Sequence, residues 1–434
     1  MLRTTAAIVA GKAARAAARI RGGGGSAMPG LVAERIDPAF LTHALAGVRG
    51  GIVVVTGTNG KTTTTKMLAA ILRAHGKRVF TNPTGSNFTR GVISSMLGAL
   101  PLSGRLDADV AVLELDEWHA LQFARVVTPT HALLLNVARD QLDRFAEIDT
   151  TAKLLATLAT QTSAGVVLNR DDAFVSRIRA QLADGVEVRW FGIDPAVADD
   201  LPPLHEADVR SGDPVAVPDP TSDDGMLHPD DARTFRVDLG GNTVGPVRLH
   251  QRGLAAMINA TAAVTTARLV LGDGFSPVAT MEALRTVRPP FGRGEVIDAG
   301  GSPLELVLVK NPAGFTVALG TYLTEPVTTM VAINDDYADG QDVSWLYDVS
   351  FESLRDNGVA LTSGVRAYDM ALRLDYDDVA VGAVEPDLAL ALDRLLAEHP
   401  DEPRRIFCTY TAMMRLRRLL AARYGLAGFG EESA

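Results

Sequence analysis

The sequence predicts an α/β protein: a large domain built on a mainly parallel sheet that carries a phosphate-binding loop, followed by a smaller α/β C-terminal domain. Three observations carry this expectation. A β-branched run at residues 51–56 (GIVVVT) ends in a glycine loop and is followed by helical apolar spacing. Further short apolar runs then alternate with helix-like stretches. The sequence Pro-Pro-Phe-Gly at residues 289–292 separates this series from a second one. Such alternation implies a parallel sheet covered on both faces, because each crossover carries its helix back over the sheet.

The chain has 434 residues, more than one ordinary core accommodates. Residues 1–45 read as an N-terminal helix with a glycine-rich link. The first 22 residues are rich in Ala and Arg, with Arg3, Lys12, Arg15, Arg19 and Arg21 dispersed and no unbroken apolar stretch after them. That pattern fits a short amphipathic helix better than a leader peptide. Glycines at 22–25, then Pro29-Gly30, mark the link. Residues 46–291 form the central domain, with strands expected at 51–56, 110–113, 132–135 and 166–168. A helix is expected at 63–75, where Met67, Leu68, Ile71 and Leu72 recur at helical spacing. Residues 194–234 are rich in Asp and Pro and read as a variable insertion or loosely ordered loop. Periodicity resumes at Phe235, and 255–271 reads as a helix. The C-terminal domain, 292–434, shows strands at 305–309, 328–333, 379–381 and 405–409, and helices at 388–398 and 413–424. No run is expected to span a membrane, which needs about 18 apolar residues.

The net charge of -10 argues against nucleic acid as the partner, because a phosphate backbone requires a basic face. It leaves room for a phosphate ligand in a local positive pocket. Cys408 is the one cysteine, so neither an internal disulfide nor a cysteine-based zinc site can form. This fits a reducing cytoplasm. Cys408 falls in an expected strand and reads as core rather than as a nucleophile.

The strongest chemical signal is Gly57-Thr58-Asn59-Gly60-Lys61-Thr62-Thr63, directly after the first strand. Backbone N–H groups in such a loop cradle phosphates, helped by the N-terminus of the following helix. Lys61 would reach the terminal phosphates and the Thr62 hydroxyl would bind Mg²⁺. Val55 stands where the usual pattern has its first glycine, so this is a variant loop. Glu114 ends the second expected strand, in the run ELDE. Both a Mg²⁺ ligand and an exposed loop acid fit it. Asn136 and residues 139–144 (RDQLDR) follow the next strand, where a site edge and a solvated helix start are both open. Asp335, Asp336, Asp339, Asp342 and Asp348 crowd around Trp345. No glutamate closes them into a calcium loop, and a polar loop is the simpler reading.

Together these runs resemble the Mur ligases. TGTNGKTTT, Glu114, Asn136 with DQLDR, Asn169-Arg170-Asp171-Asp172 and Gly292-Arg293-Gly294-Glu295 occur in the order found there, over about residues 45–434. Within that superfamily, ARDQLDRFAEID, LVKNPAGF (308–315), NDDYADGQDVSW and the closing TYTAMMRLR resemble the MurT branch, the ligase subunits of lipid II isoglutaminyl synthases. Amino-acid-adding Mur ligases usually have His at the place of Gln141 and a DYAHNP-like run at the place of LVKNP.

The resemblance implies a mechanism and a set of roles. ATP would activate the α-carboxylate of D-Glu in the lipid II stem peptide as an acyl phosphate. Ammonia released from glutamine by a GatD-type amidotransferase subunit would then attack to give D-isoglutamine. Lys61 and Thr62 would hold phosphates and Mg²⁺, with Glu114 as a metal ligand. Asn259 (in INATAA) would lie near the adenine, and Arg293 would reach the phosphates on domain closure. Asp342 would complete the partner's Cys/His triad, where a carboxylate orienting the His makes physical sense. The enzyme would be cytoplasmic, working at the inner membrane face where lipid II resides.

Three departures stand out. The segment 194–234 has no cysteine, so the four-cysteine zinc ribbon of related chains is not expected. Lys153 is the nearest candidate for the carbamylated lysine of other Mur ligases, but its spacing from Gln141 is short. The residues that read lipid II cannot be carried over. Two other readings compete: a stand-alone Mur or folylpolyglutamate-type amino-acid ligase, against which Gln141 and LVKNP speak, and a nucleotide-binding scaffold without catalysis.

Overall fold

The computed structural model describes residues 2–20, 27–82, 88–138, 148–198, 201, 219–221, 223–289, 292–322 and 327–426. Helices α1 (Leu2–Ile20), α2 (Ala27–Ile36) and α3 (Phe40–Leu45) open the chain. They are not a separate appendage. Ala7, Ile8, Ala33 and Phe40 belong to the same apolar core as Ile52 and Val54 of the first strand. The basic residues of α1 cap neighbouring helices: Arg3 Nε donates to Ile36 O at 2.6 Å and Lys12 Nζ to Leu100 O at 2.7 Å. Lysine and arginine are favourable at helix C-termini because the last carbonyls lack partners there.

The central domain continues with β1 (Ile52–Thr56), α4 (Lys61–Ala74), β2 (Val79–Thr81), α5 (Thr89–Ala99) and β3 (Val110–Glu114). Next come α6 (Glu117–Ala124), β4 (His131–Leu134), α7 (Ile148–Thr160), β5 (Gly165–Asn169), α8 (Ala173–Ser176) and β6 (Glu187–Ile193). Then follow β7 (Gly225–Pro229), β8 (Thr234–Asp238), β9 (Thr243–Arg248), α9 (Leu254–Leu271) and α10 (Pro277–Thr286). The nine strands lie in the order β2-β3-β1-β4-β5-β6-β7-β8-β9. Pairing is parallel from β2 to β7 and antiparallel for β7–β8 and β8–β9. Strands β1, β3 and β5 are buried at all five positions, as helices on both faces require.

Two expectations need correction here. The end of the Asp/Pro-rich segment is not loose: residues 225–229 are β7, paired with β6, and Asp224 accepts from Trp190 N at 2.7 Å. Residues 202–218 lie outside the described residues. Also, α9 with the turn after it (Leu254–Gly274) is long and apolar enough to cross a membrane. Its apolarity serves the core instead, since it packs against α4 and the strands β5 to β7.

The C-terminal domain comprises β10 (Arg293–Asp298), β11 (Pro303–Leu308), α11 (Pro312–Tyr322), β12 (Thr328–Ala332) and β13 (Val359–Ser363). It ends with α12 (Ala367–Asp375), β14 (Val381–Glu385), α13 (Leu388–Glu398), β15 (Arg404–Cys408) and α14 (Tyr410–Tyr424). The order is β10-β11-β15-β12-β13-β14, parallel except for the β10–β11 edge. The strand expected at 379–381 begins only at Val381. Val379 instead closes α12, donating its N–H to Leu374 O at 3.0 Å. Helices α11 and α12 cover one sheet face, and α13 and α14 the other.

Candidate active site

The site forms at the carboxyl ends of β1, β3, β4 and β5. The connection after β1 leads to α4 on one face of the sheet and that after β3 to α6 on the other. A crevice opens where neighbouring strands feed opposite faces. The register sets Glu114 beside Val55, two residues before the loop begins.

Two glycines have specific reasons to be glycine. Gly57 has φ 127°, and a Cβ there would lie 2.9 Å from the backbone N and O of Asn136. Gly60 has φ 87° and would place its Cβ 2.2 Å from Asn259 Oδ1. The second contact brings Asn259 of α9 against the loop, where the resemblance expects it. Asn136 holds the loop from the other side. Its Oδ1 accepts from Asn59 N at 2.8 Å, and its Nδ2 donates to Asn59 O at 3.1 Å. Asn136 therefore belongs to the site edge. Asp172 supports it in turn, accepting from Val137 N at 2.8 Å.

The charged groups converge in the same place. Thr62 Oγ1 donates to Glu114 Oε1 at 2.8 Å, and both residues are buried. Asn82 fixes Glu114 by a reciprocal pair, Nδ2 to Glu114 O at 2.8 Å and Glu114 N to Oδ1 at 2.9 Å. Glu114 is thus not an exposed loop acid. Lys61 Nζ donates to Gly57 O and lies 3.2 Å from Glu117 Oε1. A carboxylate and a hydroxyl side by side suit Mg²⁺, which takes oxygen ligands and keeps several waters or phosphate oxygens besides. Among the described residues no group of three or more His, Cys, Asp and Glu is gathered to hold a metal by protein ligands alone.

A cavity of about 200 Å³, partly open to solvent, lies between the domains. Asn59, Gly60 and Asn259 line it from the central domain and Lys310, Gly314 and Thr321 from the other. Lys310 Nζ donates to Thr58 O at 3.1 Å, and Asn311 Nδ2 to Asn59 Oδ1 at 3.2 Å.

Asp342 is not part of this cavity. It lies exposed on a C-terminal-domain loop, where the Ser344 side chain and its backbone N–H, which donates to Oδ1 at 2.8 Å, hold its carboxyl below the usual range. The neighbouring acids diverge rather than forming a metal loop. Asp339 is buried against Thr411, and Asp335 pairs with Arg366 at 2.7 Å. Cys408 is fully buried, and burial pushes its thiol pKa upward, as expected for core. Lys153 is exposed on α7. Arg293 begins β10, opposite Val307; its side chain, like residues 139–144 with Gln141, lies outside the description. Sequence reasoning missed Asn82, Glu117, Lys310 and Asn311 as site residues. Glu117 closes the ELDE run and Lys310-Asn311 sit in LVKNPAGF, so proximity to known motifs was the available signal.

Residues 55–217 match the Mur ligase middle domain and residues 308–413 the MurT ligase C-terminal domain. The chain is 32% identical to the lipid II isoglutaminyl synthase (glutamine-hydrolyzing) subunit MurT of Streptococcus pneumoniae, over 97% of this chain and 98% of that protein. The chain belongs to the MurT family. Among solved structures, MurF from Acinetobacter baumannii matches with a TM-score of 0.66 at 18% identity, over 91% of this chain and 80% of that one. MurF from Thermotoga maritima in complex with ADP matches with a TM-score of 0.65 at 17% identity, over 91% and 85%. At such identities these two speak for the fold alone, which is that of the Mur ligases. MurT membership and this fold make the chain an ATP-dependent ligase of the Mur type.

Proposed function

We propose that this chain is the ligase subunit of a two-subunit enzyme that amidates the α-carboxylate of D-Glu in lipid II. The observation that carries the reading is the buried Thr62–Glu114 pair with Lys61 in the phosphate loop, whose Asn59 and Gly60 line the interdomain cavity, in a chain alignable over nearly its whole length with a named MurT subunit. ATP is the phosphoryl donor and glutamine, through the partner, the source of nitrogen.

The chain's own residues divide the work. The loop amides of 57–62 and the start of α4 bind the phosphates. Thr62 and Glu114 would hold Mg²⁺, which when bound neutralises charge on the transferring phosphoryl group. Lys61, kept at the loop by Gly57 and Glu117, supplies fixed positive charge there. Lys310 brings a second cation from the other domain, so cavity closure completes the electrostatic environment. The carboxylate of D-Glu attacks the terminal phosphorus, ADP leaves, and ammonia displaces phosphate from the acyl phosphate. Ammonia comes from a GatD-type glutaminase subunit, to whose Cys/His site Asp342 contributes a carboxylate. The enzyme works in the cytoplasm, at the membrane face that presents lipid II.

Purified chain with lipid II, ATP, Mg²⁺ and ammonium should release ADP and add one amide. Adding the glutaminase subunit should let glutamine replace ammonium. ADP release that instead depends on an added amino acid, with no partner, would establish the stand-alone ligase reading.

A further inference from the structure

We propose that an aromatic cluster beside the phosphate loop, Trp118 with His119 and Phe88, is the subsite for the sugar of the lipid-linked acceptor, with the Trp118 indole stacking on the sugar's C–H face. This rests on the lipid II reading above. Two neighbouring parallel strands supply the cluster at their carboxyl ends. Phe88 immediately precedes α5 in the connection after β2, and Trp118 and His119 lie in the first turn of α6, after β3. Trp118 directly follows Glu117, whose Oε1 lies 3.2 Å from Lys61 Nζ. Packing of α6 does not account for the indole. Ala120, Leu121, Phe123 and Ala124 bury that helix against the core, while Trp118 stays 48% exposed. Even so, the ring is held in place. Its centroid lies 4.9 Å from that of His119 at 88°, and Phe88 meets His119 at 4.7 Å and 80°. Edge-to-face pairs of this kind fix aromatic orientation. Trp118 N also donates to Asp116 Oδ1 at 3.3 Å, which anchors the start of the helix. The exposed ring is therefore set before any ligand arrives.

The acceptor's chemistry and reach select the sugar. A pyranose has an apolar C–H face and a polar hydroxyl rim, which suits a flat apolar ring at the edge of a polar site. In lipid II, one L-Ala residue and a lactyl ether separate D-Glu from the sugar that carries the stem peptide. With the D-Glu carboxylate at the terminal phosphate, two extended residues reach back at most about 7 Å. The sugar then falls just outside the loop, on the side where Glu117 and Trp118 follow Lys61 in space. The diphosphate and isoprenoid lie beyond the sugar. Asp116, two residues before Trp118, disfavours the anionic diphosphate at the ring itself.

The test uses the full chain. Of its three tryptophans, Trp190 and Trp345 are 6% and 5% exposed, so acrylamide quenching of fluorescence reports on Trp118. The chain is titrated with the water-soluble disaccharide-pentapeptide portion of lipid II and, in parallel, with the pentapeptide alone. The proposal expects the first to shield Trp118 from acrylamide and the second to leave it accessible. Ammonium-driven amidation of the disaccharide-pentapeptide is then compared for Trp118→Ala and the conservative Trp118→Phe. In Trp118→Ala the KM for this acceptor should rise about tenfold or more. The KM for ATP and the melting temperature should stay at wild-type levels, and Trp118→Phe should recover most of the lost affinity. Equal shielding by the pentapeptide alone, an unchanged acceptor KM in Trp118→Ala, or a matching rise in the KM for ATP overturns the sugar subsite and leaves the functional reading standing. If the wild-type chain amidates neither the soluble acceptor nor lipid II with ammonium, the functional reading falls, while the quenching titration still decides the subsite.

Discussion

Lys310 Nζ, carried by the C-terminal domain, donates to the carbonyl oxygen of Thr58 in the phosphate loop of the central domain at 3.1 Å. With Asn311 on Asn59, this joins two domains at the place where phosphoryl transfer is proposed.

Replacing Lys310 by Ala should therefore reduce catalysis far more than stability. The hydrogen bond to a backbone carbonyl is worth about 1 kcal/mol in folding. Loss of a positioned cation in phosphoryl transfer should lower kcat/KM by about 100-fold or more. Steady-state ADP release alongside a melting curve checks both halves.

Glu114 and Glu117 should separate by phenotype. Glu114→Gln weakens an oxygen ligand, so the Mg²⁺ concentration for half-maximal ADP release should rise sharply. Glu117→Ala leaves Lys61 buried without its carboxylate partner, a loss of about 3 kcal/mol. Denaturant unfolding of Glu117→Ala and Mg²⁺ titration of Glu114→Gln tell the roles apart.

Asp339 makes a pH prediction. Burial raises its carboxyl pKa, opposed by hydrogen bonds from Thr411. An acid that binds its proton more tightly folded than unfolded stabilises the fold below its unfolded pKa, and that contribution is lost as pH rises through the folded one. Asp339→Asn should therefore lose less melting temperature than wild type as pH rises from about 4, the ordinary aspartate value.

Asp342→Asn should suppress glutamine-driven amidation by about 100-fold or more while sparing the ammonium-driven reaction, since Asp342 lies outside the interdomain cavity. Equal loss of both would place it in the ligase site.

Cys408 should be silent. A buried thiol with a raised pKa presents little thiolate, so thiol reagents should label the native chain only on unfolding.

Much of this was legible in the sequence. Val53 to Val55 read as a strand because β-branched residues buried on both faces leave an unbroken apolar run, and GTNGK announced its loop because only glycine satisfies φ 127° and 87° there. The Thr62–Glu114 pairing came through the resemblance and not from spacing, because it depends on β3 lying next to β1 although β2 comes between them in sequence. Lys310 was hidden for the same kind of reason: its partner is 252 residues away in another domain. Strand β13, Val359–Ser363, escaped notice as a short run between polar loops. The Asp-rich segment read as a polar loop, but composition does not show that Asp339 turns inward while Asp342 is exposed.

The central claim is tested most directly by supplying amide-¹⁵N-glutamine, ATP, Mg²⁺ and lipid II to this chain together with the glutaminase subunit, then fragmenting the stem peptide by mass spectrometry. The account predicts one ¹⁵N atom on the α-carboxamide of D-Glu, dependent on ATP and abolished by Lys61→Ala. Unlabelled D-Glu with ADP still released, or label elsewhere in the peptide, would contradict it.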